Sequence, residues 1–282
     1  MNNNGLKLEE IKSVIDYALK EDIGNGDITT NWLIPSDLQT TATMVAKSSG
    51  VVAGISVAEY VFRTLNQDIH WKPFVRDGDK VIKGDVLLKI SGSYRALLTG
   101  ERLALNFMQR MSGIATMTSV FVEALSGYQT KILDTRKTVP GLRLLDKYAV
   151  KMGGGTNHRI GLYDMVLIKD NHIKVAGGIT NAVGEIRKNI TPGIKIEVET
   201  TTIEEVSEAL HSGADIIMLD NMGNELMAEC VKIINGRAKV EASGNMTLER
   251  LIEVAATGVD FISIGALTHS VMAFDISMNI ES

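Results

Sequence analysis

Short β-prone runs alternate with amphipathic helical patterns throughout the second half of the chain. Several of the amphipathic segments close at a glycine, such as Gly213 and Gly258, as helices commonly do. Alternation of this kind predicts parallel strands joined by crossover helices. The predicted strands cover residues 131–134, 165–168, 194–199, 215–219, 238–242 and 261–264, and the later helices cover 203–211, 225–234 and 248–256.

Each predicted strand ends at a polar, charged or glycine residue. These residues are Asp134, Lys169, Glu199, Asp220, Ser243 and Gly265. The last four follow one another at intervals of 21, 23 and 22 positions, the length of one strand and one helix. Barrels and open doubly wound sheets both collect ligands at the carboxyl ends of their strands. We favour a barrel because no Gly-x-Gly-x-x-Gly turn follows a strand and no reversal signal interrupts the six runs.

The first half of the chain predicts a separate α/β domain. Its predicted elements are a helix ending at 16–22, strands at 51–54 and within 74–90, and a helix over 96–125. Asp77-Gly78 is a strong hairpin-turn signal, and Ser112-Gly113 predicts a break in the last helix. The predicted architecture is thus an N-terminal α/β domain over residues 1–113 and a barrel over 114–268. Residues 269–282 can return to the first domain or remain with the second.

Composition and charge limit the classes of function. Of the 282 residues, 45% are hydrophobic, and no apolar stretch approaches the ~20 residues that a bilayer requires. The N-terminus lacks the apolar core of a secretory signal, and Cys230 is the single cysteine, so we expect a cytoplasmic protein with no membrane partner. The net charge of −5 argues against a nucleic-acid partner, although a local cluster of cations can still bind small anions.

Nine segments, in order along nearly the whole chain, resemble the quinolinate phosphoribosyltransferase family. They include Asp134-Thr-Arg-Lys137, Asn157-His-Arg159 and Leu167-Ile-Lys-Asp-Asn-His172. Any one segment is a weak signal, whereas the ordered set is highly specific. The nine matching segments are 21–30, 100–116, 134–143, 153–162, 167–172, 197–199, 218–221, 241–245 and 264–266.

The resemblance implies both a fold and a reaction. It implies an N-terminal open-faced α/β sandwich, an incomplete α/β barrel, and a homodimer whose subunits complete each other's sites. Arg102 then belongs to the site of the neighbouring subunit. The implied reaction, a step of de novo NAD biosynthesis, joins quinolinate to the phosphoribosyl group of phosphoribosyl pyrophosphate. Its products are nicotinate mononucleotide, pyrophosphate and carbon dioxide.

Two polyanionic substrates require cations in the cavity where they meet. Arginine suits planar, bidentate carboxylate recognition, and lysine suits phosphate or pyrophosphate. We therefore assign Arg136, Arg159 and His158 to quinolinate and Lys137 to pyrophosphate. Lys169, at a strand end, is assigned to a carboxylate or to the reacting region. Taken singly, such residues are more often solvated surface charges.

Glu199 and Asp220 end successive predicted strands, so their carboxylates should be neighbours. They are suited to hold the ribose hydroxyls, to bind Mg²⁺ directly or through the pyrophosphate, and to stabilise developing positive charge. Glu197 lies on the same side of its strand but deeper, and we expect it to pair with a cation. His172 is expected to be a supporting or core residue.

Small residues close the last two predicted strands. Ser243-Gly244-Asn245 and Gly265-Ala266 allow backbone N–H groups to approach an anion, and barrels often bind phosphate here. We assign these residues to the 5′-phosphate. The alternative, that they form tight turns which require small residues, is equally compatible with the sequence.

Three other functions remain open from the sequence. A nicotinate phosphoribosyltransferase would use similar chemistry without decarboxylation. A Schiff-base aldolase would use Lys169 as its nucleophile. A carrier module is suggested by residues 76–88, which resemble half of a biotinyl or lipoyl domain. The proposed transferase instead needs orientation and electrostatics, with no organic cofactor and no covalent nucleophile.

Overall fold

The computed structural model describes residues 6–281 as two compact units. Of the described residues, one unit comprises 6–119, 138–154 and 267–281, and the other comprises 120–137 and 155–266. Residues 114–119, 138–154 and 267–268 lie within the predicted barrel domain, whereas their contacts group them with the first unit. The C-terminal strand β12 (Ile276–Ile280) pairs with β1 (Gln39–Ala46) of that unit.

The first unit contains an antiparallel four-stranded sheet in the order β12-β1-β5-β3. Ile11, Ile15 and Leu19 form a buried stripe along its first helix at the i, i+4, i+8 spacing of an amphipathic helix. The elements of this part of the chain are α1 (Leu8–Ile23), α2 (Ile28–Leu33), β1, β2 (Gly50–Val51), α3 (Ile55–Leu65), β3 (His70–Pro73), β4 (Lys80–Val81), β5 (Val86–Ser93) and α4 (Tyr94–Ala124).

The Asp77-Gly78 hairpin prediction is wrong. The turn is present, with Gly78 at φ 94°, but the strands on either side of it do not pair with each other. β3 pairs with β5, and β4 pairs with β2. The carboxylate of Asp77 instead accepts hydrogen bonds from the Ile55 backbone N–H (3.0 Å) and from the Tyr148 hydroxyl (2.9 Å). Asp77 therefore stabilises the turn through contacts with residues distant in the sequence.

The predicted break near Ser112-Gly113 is also wrong, because α4 runs unbroken for 31 residues. Gly113 is surrounded closely: a Cβ at this position would collide with the carbonyl oxygen of Met272. Ser112 donates to the Ala53 carbonyl and accepts from the Ala53 N–H. Neighbouring backbone segments pack closely against the helix at both positions, which requires small side chains there. Neither residue interrupts the helix.

The second unit is a six-stranded parallel sheet in the order β6-β11-β10-β9-β8-β7. Successive strands are neighbours from β7 to β11, and β11 then pairs with β6, as in a barrel. Within the described residues β6 does not pair with β7, so the predicted incomplete α/β barrel is confirmed. Its strands are β6 (Lys131–Leu133), β7 (Val166–Ile168), β8 (Ile196–Thr200), β9 (Ile216–Asp220), β10 (Lys239–Ser243) and β11 (Phe261–Ser263).

The free edge of β6 is occupied by a short segment around Thr156. Leu133 and Thr156 form an isolated parallel bridge, with Thr156 N–H donating to the Ile132 carbonyl at 2.8 Å. The segment therefore continues the sheet next to β6 and brings residues 157–159 to the carboxyl end of that strand. The remaining helices are α5 (Arg143–Met152), α6 (Asp170–Ala176), α7 (Ile179–Asn189), α8 (Ile203–His211), α9 (Asn224–Ile234), α10 (Leu248–Ala256) and α11 (Ala266–His269).

Among the residues that the structure describes, no helix combines the length and the apolar character that crossing a membrane demands.

Candidate active site

The carboxyl ends of the parallel strands bring most of the predicted site residues to one edge of the sheet. Asp220 ends β9 and is in register with Ser243, which ends β10. Glu199 lies on β8 opposite Met218 of β9, the strand that ends at Asp220. Lys169 directly follows β7, and Gly265 lies two residues beyond β11. Parallel pairing alone therefore assembles cationic, anionic and small residues at a single edge.

Lys169 and Glu199 form an ion pair at this edge. The distance between Lys169 Nζ and Glu199 Oε2 is 2.5 Å, and the two side chains are 46% and 17% exposed. His172 accepts a hydrogen bond from the Lys169 backbone N–H through Nδ1 (3.0 Å), which fixes the start of α6. His172 is exposed and holds the backbone of Lys169, so of the two expected roles, supporting or core, the structure favours the supporting one.

Two arginines form a second cationic group. Burial lowers the pKa of Arg159, and the charge of Arg136 lowers it further, while Glu197 and Asp164 act in the opposite direction. Arg159 donates through Nη1 to the Met165 carbonyl at 3.2 Å. The Nε of Arg136 is buried and has no hydrogen-bond partner among the described residues. A buried guanidinium donor without an acceptor is costly, and an anionic ligand would satisfy it.

His158 is directed toward two buried carboxylates. Its Nε2 lies 2.9 Å from Glu197 Oε2 and 3.4 Å from Glu241 Oε2, and the side chains of all three residues are at most 8% exposed. Burial disfavours the imidazolium, but hydrogen bonds and charges from the two glutamates outweigh it and raise the pKa of His158 to about 10. Burial and the charge of Glu241 raise the pKa of Glu197. Glu197 thus pairs with a cation, as its position in the strand predicted.

Asp134 is a site residue that the sequence reasoning left without a role. Its buried carboxylate accepts from the His158 backbone N–H at 2.9 Å and from Asn157 Nδ2 at 2.5 Å. It therefore fixes the chain on which His158 and Arg159 lie. Glu241 was also missed, although it lies in a matching segment at a strand position. The available signal was a carboxylate at the end of a β-prone run for Asp134 and within a β-prone run for Glu241.

The loops after β9 and β10 have unusual backbone conformations. Asn221 and Asn245 have positive φ angles of 55° and 47°, and Gly244 has a φ of 98°. A Cβ on Gly244 would collide with the Asn221 side chain, whose Nδ2 donates to Asp220 at 2.7 Å. Gly244 is therefore required both by its conformation and by this close approach. The structure places the predicted phosphate-binding loop beside Asp220.

Of the helices that follow the predicted phosphate residues, one begins further along the chain and the other is very short. Helix α10 begins at Leu248, three residues after Asn245, and Thr247 caps it by accepting from the Arg250 N–H. Helix α11 begins at Ala266 but has only four residues. Any anion bound by these loops would therefore be held mainly by loop N–H groups, and helix dipoles would contribute little.

Lys137 and Arg102 are both exposed. Lys137 is exposed in the loop after β6, where its backbone N–H donates to the Thr135 hydroxyl at 3.0 Å. Arg102 is exposed on α4, in the first unit. Its role in a neighbouring subunit's site stays a prediction.

Glu199 and Asp220 have the chemistry of a magnesium site. Hard cations prefer carboxylate oxygens; Glu199 is the penultimate residue of β8, and Asp220 ends the neighbouring strand β9. One oxygen of Glu199 is paired with Lys169 and one oxygen of Asp220 accepts from Asn221. The second oxygen of each has no hydrogen bond from the described residues, so the donor set fits Mg²⁺.

Comparison with known proteins agrees with this geometry. Two family models match: the quinolinate phosphoribosyl transferase N-terminal domain over residues 27–112 and the C-terminal domain over residues 114–279. The chain is 47% identical to a chloroplastic nicotinate-nucleotide pyrophosphorylase [carboxylating] of Oryza sativa, covering 97% of this chain and 78% of the relative. It is 45% identical to a probable nicotinate-nucleotide pyrophosphorylase [carboxylating] of Bacillus subtilis, covering 96% and 93%.

Solved structures give the same result. The crystal structure of NadC from Streptococcus pyogenes superimposes with a TM-score of 0.94 at 40% identity, covering 98% of this chain and 97% of that one. The two family models together span both units of the fold, so the match includes the strand ends and the loops described above.

Proposed function

The chain belongs to the quinolinate phosphoribosyltransferase family, and from this premise we propose how its site carries out the reaction of that family. The enzyme converts quinolinate and phosphoribosyl pyrophosphate into nicotinate mononucleotide in NAD biosynthesis. Pyrophosphate and carbon dioxide are the other products. The question is which groups of this chain hold the two substrates.

The proposal depends mainly on one observation, the unpartnered Nε of Arg136 next to Arg159. Quinolinate carries two adjacent carboxylates on a planar ring. A dianion bound to both guanidiniums would accept from the buried donor and would relieve the repulsion between the two cations. We therefore assign Arg136 and Arg159 to the carboxylates of quinolinate, with His158 beside them.

Lys169 and Lys137 are assigned to the remaining negative charge. Lys169 directly follows β7, the strand next to β8, and pairs with Glu199. An incoming carboxylate would replace Glu199 in this ion pair or join it. Lys137 is exposed in the same loop as Arg136 and is assigned to the pyrophosphate. The 5′-phosphate is assigned to Ser243-Gly244-Asn245, in which Gly244 and Asn245 have positive φ angles, and to Gly265-Ala266.

The reaction proceeds in two bond-making and bond-breaking stages. The pyridine nitrogen attacks the anomeric carbon, and the bond from that carbon to pyrophosphate breaks with its electron pair leaving on the pyrophosphate. The resulting pyridinium accepts the electron pair of the bond to the 2-carboxylate, so carbon dioxide leaves and the ring carbon takes a proton. Glu199 and Asp220 lie where they would stabilise positive charge on the ribose. The arginines and Lys169 orient the ring.

We assign Mg²⁺ to Glu199 and Asp220, directly or through the pyrophosphate. When bound, the ion would neutralise charge on the departing pyrophosphate. The residues of the chain contribute the carboxylate oxygens that are free of other described donors. Activity should be lost on adding EDTA and should return with excess Mg²⁺, measured as nicotinate mononucleotide formed. Undiminished turnover in EDTA would remove the metal from the mechanism.

We further propose a cytoplasmic homodimer with shared sites, in which Arg102 reaches the neighbouring subunit's substrates. The buried, unpaired thiol of Cys230 is compatible with a reducing compartment. The shared site is supported by the resemblance and by the exposure of Arg102 on α4.

The deciding experiment is an assay with quinolinate and phosphoribosyl pyrophosphate that follows carbon dioxide and nicotinate mononucleotide together. We expect the two to appear in equal amounts. Turnover of nicotinate without carbon dioxide would identify a nicotinate phosphoribosyltransferase. Borohydride trapping of a substrate on Lys169 would identify an aldolase, and a lipoyl or biotinyl mass on a lysine would identify a carrier.

A further inference from the structure

Three strands of the barrel direct buried polar side chains at one imidazole. Glu197 on β8 and Glu241 on β10 are fully buried, and Ser263 on β11 is 7% exposed. Glu197 and Glu241 both lie near His158 Nε2, and the Ser263 hydroxyl donates to Glu241 Oε1 at 2.5 Å. None of these three residues is among those assigned to a substrate.

Among the described residues, one cation, His158, forms ion pairs with this cluster. Within residues 6–281, neither glutamate forms an ion pair with a lysine or an arginine; their ion-pair partner is His158. Two carboxylates buried without a cation would carry a large desolvation cost. The imidazole is consequently held in its charged form, and the raised pKa of His158 agrees with this.

The same histidine is fixed from its backbone side. Asp134, directly after β6, accepts from the His158 N–H. Side chains from the end of β6, from β8 and from β10 therefore contact this one residue, and β11 contributes through Glu241. Such convergence exceeds what a packing histidine needs. His158 directly precedes Arg159 in the chain. The contact between Asp134 and the His158 backbone therefore helps to orient both the imidazole and the neighbouring guanidinium.

We propose that Glu241 and Ser263 are positioning residues that act through His158, and that they set the affinity of the site for quinolinate. The proposal rests on the assignment of His158 to quinolinate. Ser263 orients the Glu241 carboxylate, and the carboxylate in turn holds the imidazole of His158. The substrate then meets a ring whose direction is set before binding, which lowers the cost of ordering it.

A different occupant of the cluster is a metal ion. His158, Glu197 and Glu241 each offer a ligand atom, and these atoms lie within 4.8 Å of one another. A metal on Nε2 would need the lone pair of a neutral ring, whereas the observed contacts are those of a donor facing two carboxylates. We therefore assign the interior of the cluster to the hydrogen bond between His158 and Glu197 and to the ion pair between His158 and Glu241. Metal analysis of the purified protein belongs in the test.

The test compares Glu241→Gln and Ser263→Ala with the matched control Thr200→Val. Thr200 is equally buried and donates to the Met218 carbonyl at 2.8 Å, but it makes no contact with His158. We expect the KM for quinolinate to rise about tenfold in Glu241→Gln and by a smaller factor in Ser263→Ala. The KM for phosphoribosyl pyrophosphate should stay within about twofold in both, and Thr200→Val should change neither KM appreciably.

A second readout does not depend on turnover. The ¹⁵N chemical shifts of the His158 ring, assigned with His158→Gln, should be those of imidazolium near neutral pH and should change in Glu241→Gln. If wild type fails to use quinolinate while these shifts behave as expected, the proposed function fails and the positioning network stands. Unchanged KM and unchanged shifts in both variants would overturn the inference, as would a stoichiometric metal bound through His158. If Glu241→Gln does not fold, Ser263→Ala decides by the same two readouts.

Discussion

Arg136 is the residue whose environment points most directly at a ligand. Its Nε is buried without an acceptor, and its neighbour in charge is another guanidinium. Stability alone would favour a neutral side chain here, since like charges repel and an unsatisfied buried donor is costly. The arrangement becomes favourable once a dianion is bound, so the site trades stability of the free enzyme for affinity.

Replacing Arg136 should therefore impair binding without unfolding the protein. We expect Arg136→Ala to lower kcat/KM for quinolinate at least tenfold, since a charge-assisted hydrogen bond contributes about 1.5–3 kcal/mol. Arg136→Lys should recover little, because lysine cannot make the planar bidentate contact. Arg237→Ala is the control: Arg237 donates to backbone carbonyls and precedes β10, at the opposite end of that strand from the site. Wild-type kinetics in Arg136→Ala, with the control also active, would take Arg136 out of the site.

His158 predicts a pH dependence of stability. Its pKa is about 10 in the folded protein and near the ordinary value of 6.5 when unfolded. Below pH 6.5 both states bind the proton; between about 6.5 and 10 the folded state alone keeps it, so rising pH favours unfolding. The free energy of unfolding from urea titrations should fall across this interval in wild type and in the exposed-histidine control His70→Gln. His158→Gln should show a smaller fall, and an equal fall would contradict the assigned charge.

At the scale of elements, α4 shows why a glycine need not interrupt a helix. Gly113 lies inside its 31 residues, where a Cβ would collide with the Met272 carbonyl. We expect Gly113→Ala to lower the free energy of unfolding by about 1–3 kcal/mol through overpacking. Gly184 in α7 has no heavy atom within 4 Å of a built Cβ, so Gly184→Ala should instead stabilise by about 0.5–1 kcal/mol. Thermal melts would show the contrast as shifts of Tm in opposite directions; equal shifts would refute the steric explanation.

Elements that depend on local sequence were predictable, whereas features that depend on distant contacts were not. The strands and helices of the second unit follow local periodicity, and helices 203–211 and 248–256 were predicted at their observed bounds. Gly113 is needed because the Met272 carbonyl leaves no room for a Cβ. Asp77 accepts hydrogen bonds from the Ile55 backbone and the Tyr148 hydroxyl. Contacts between residues far apart in sequence leave no local pattern, which is why the break and the hairpin were predicted wrongly.

The candidate site follows the same division. Residues at strand ends, such as Glu199 and Asp220, were predictable because parallel strands carry their carboxyl ends to one edge. The family resemblance identified Arg136, His158 and Arg159 as site residues, but it did not indicate which side chains contact them. Glu241 and Asp134 were missed because their importance depends on which strands become neighbours of the His158 segment, and the spatial order β6-β11-β10-β9-β8-β7 differs from the order in the chain.

For the whole molecule, the global charge and the charge of the site have opposite signs. The chain carries a net charge of −5, yet Arg136, Arg159, Lys169 and the His158 imidazolium are grouped at the carboxyl edge of one sheet. Two anionic substrates would otherwise be repelled by an acidic protein. The proposed dimer adds Arg102 to this group from a second chain, so the complete constellation would exist only in the assembly.

That assembly can be tested by mixing inactive variants. Arg102→Ala and Lys169→Ala should each be inactive alone. In a mixed dimer, the Arg102→Ala subunit keeps its own Lys169 and receives an intact Arg102 from its partner, so one of the two sites is complete. Random exchange between the variants should restore about a quarter of wild-type activity, because half of the dimers are mixed and each has one working site. Lys169→Ala mixed with Arg136→Ala is the control: both residues are assigned to the same subunit's half of the site, so every site stays defective. If differently tagged subunits demonstrably exchange and the first mixture stays as inactive as the second, the sites are not shared and Arg102 acts within its own chain or not at all.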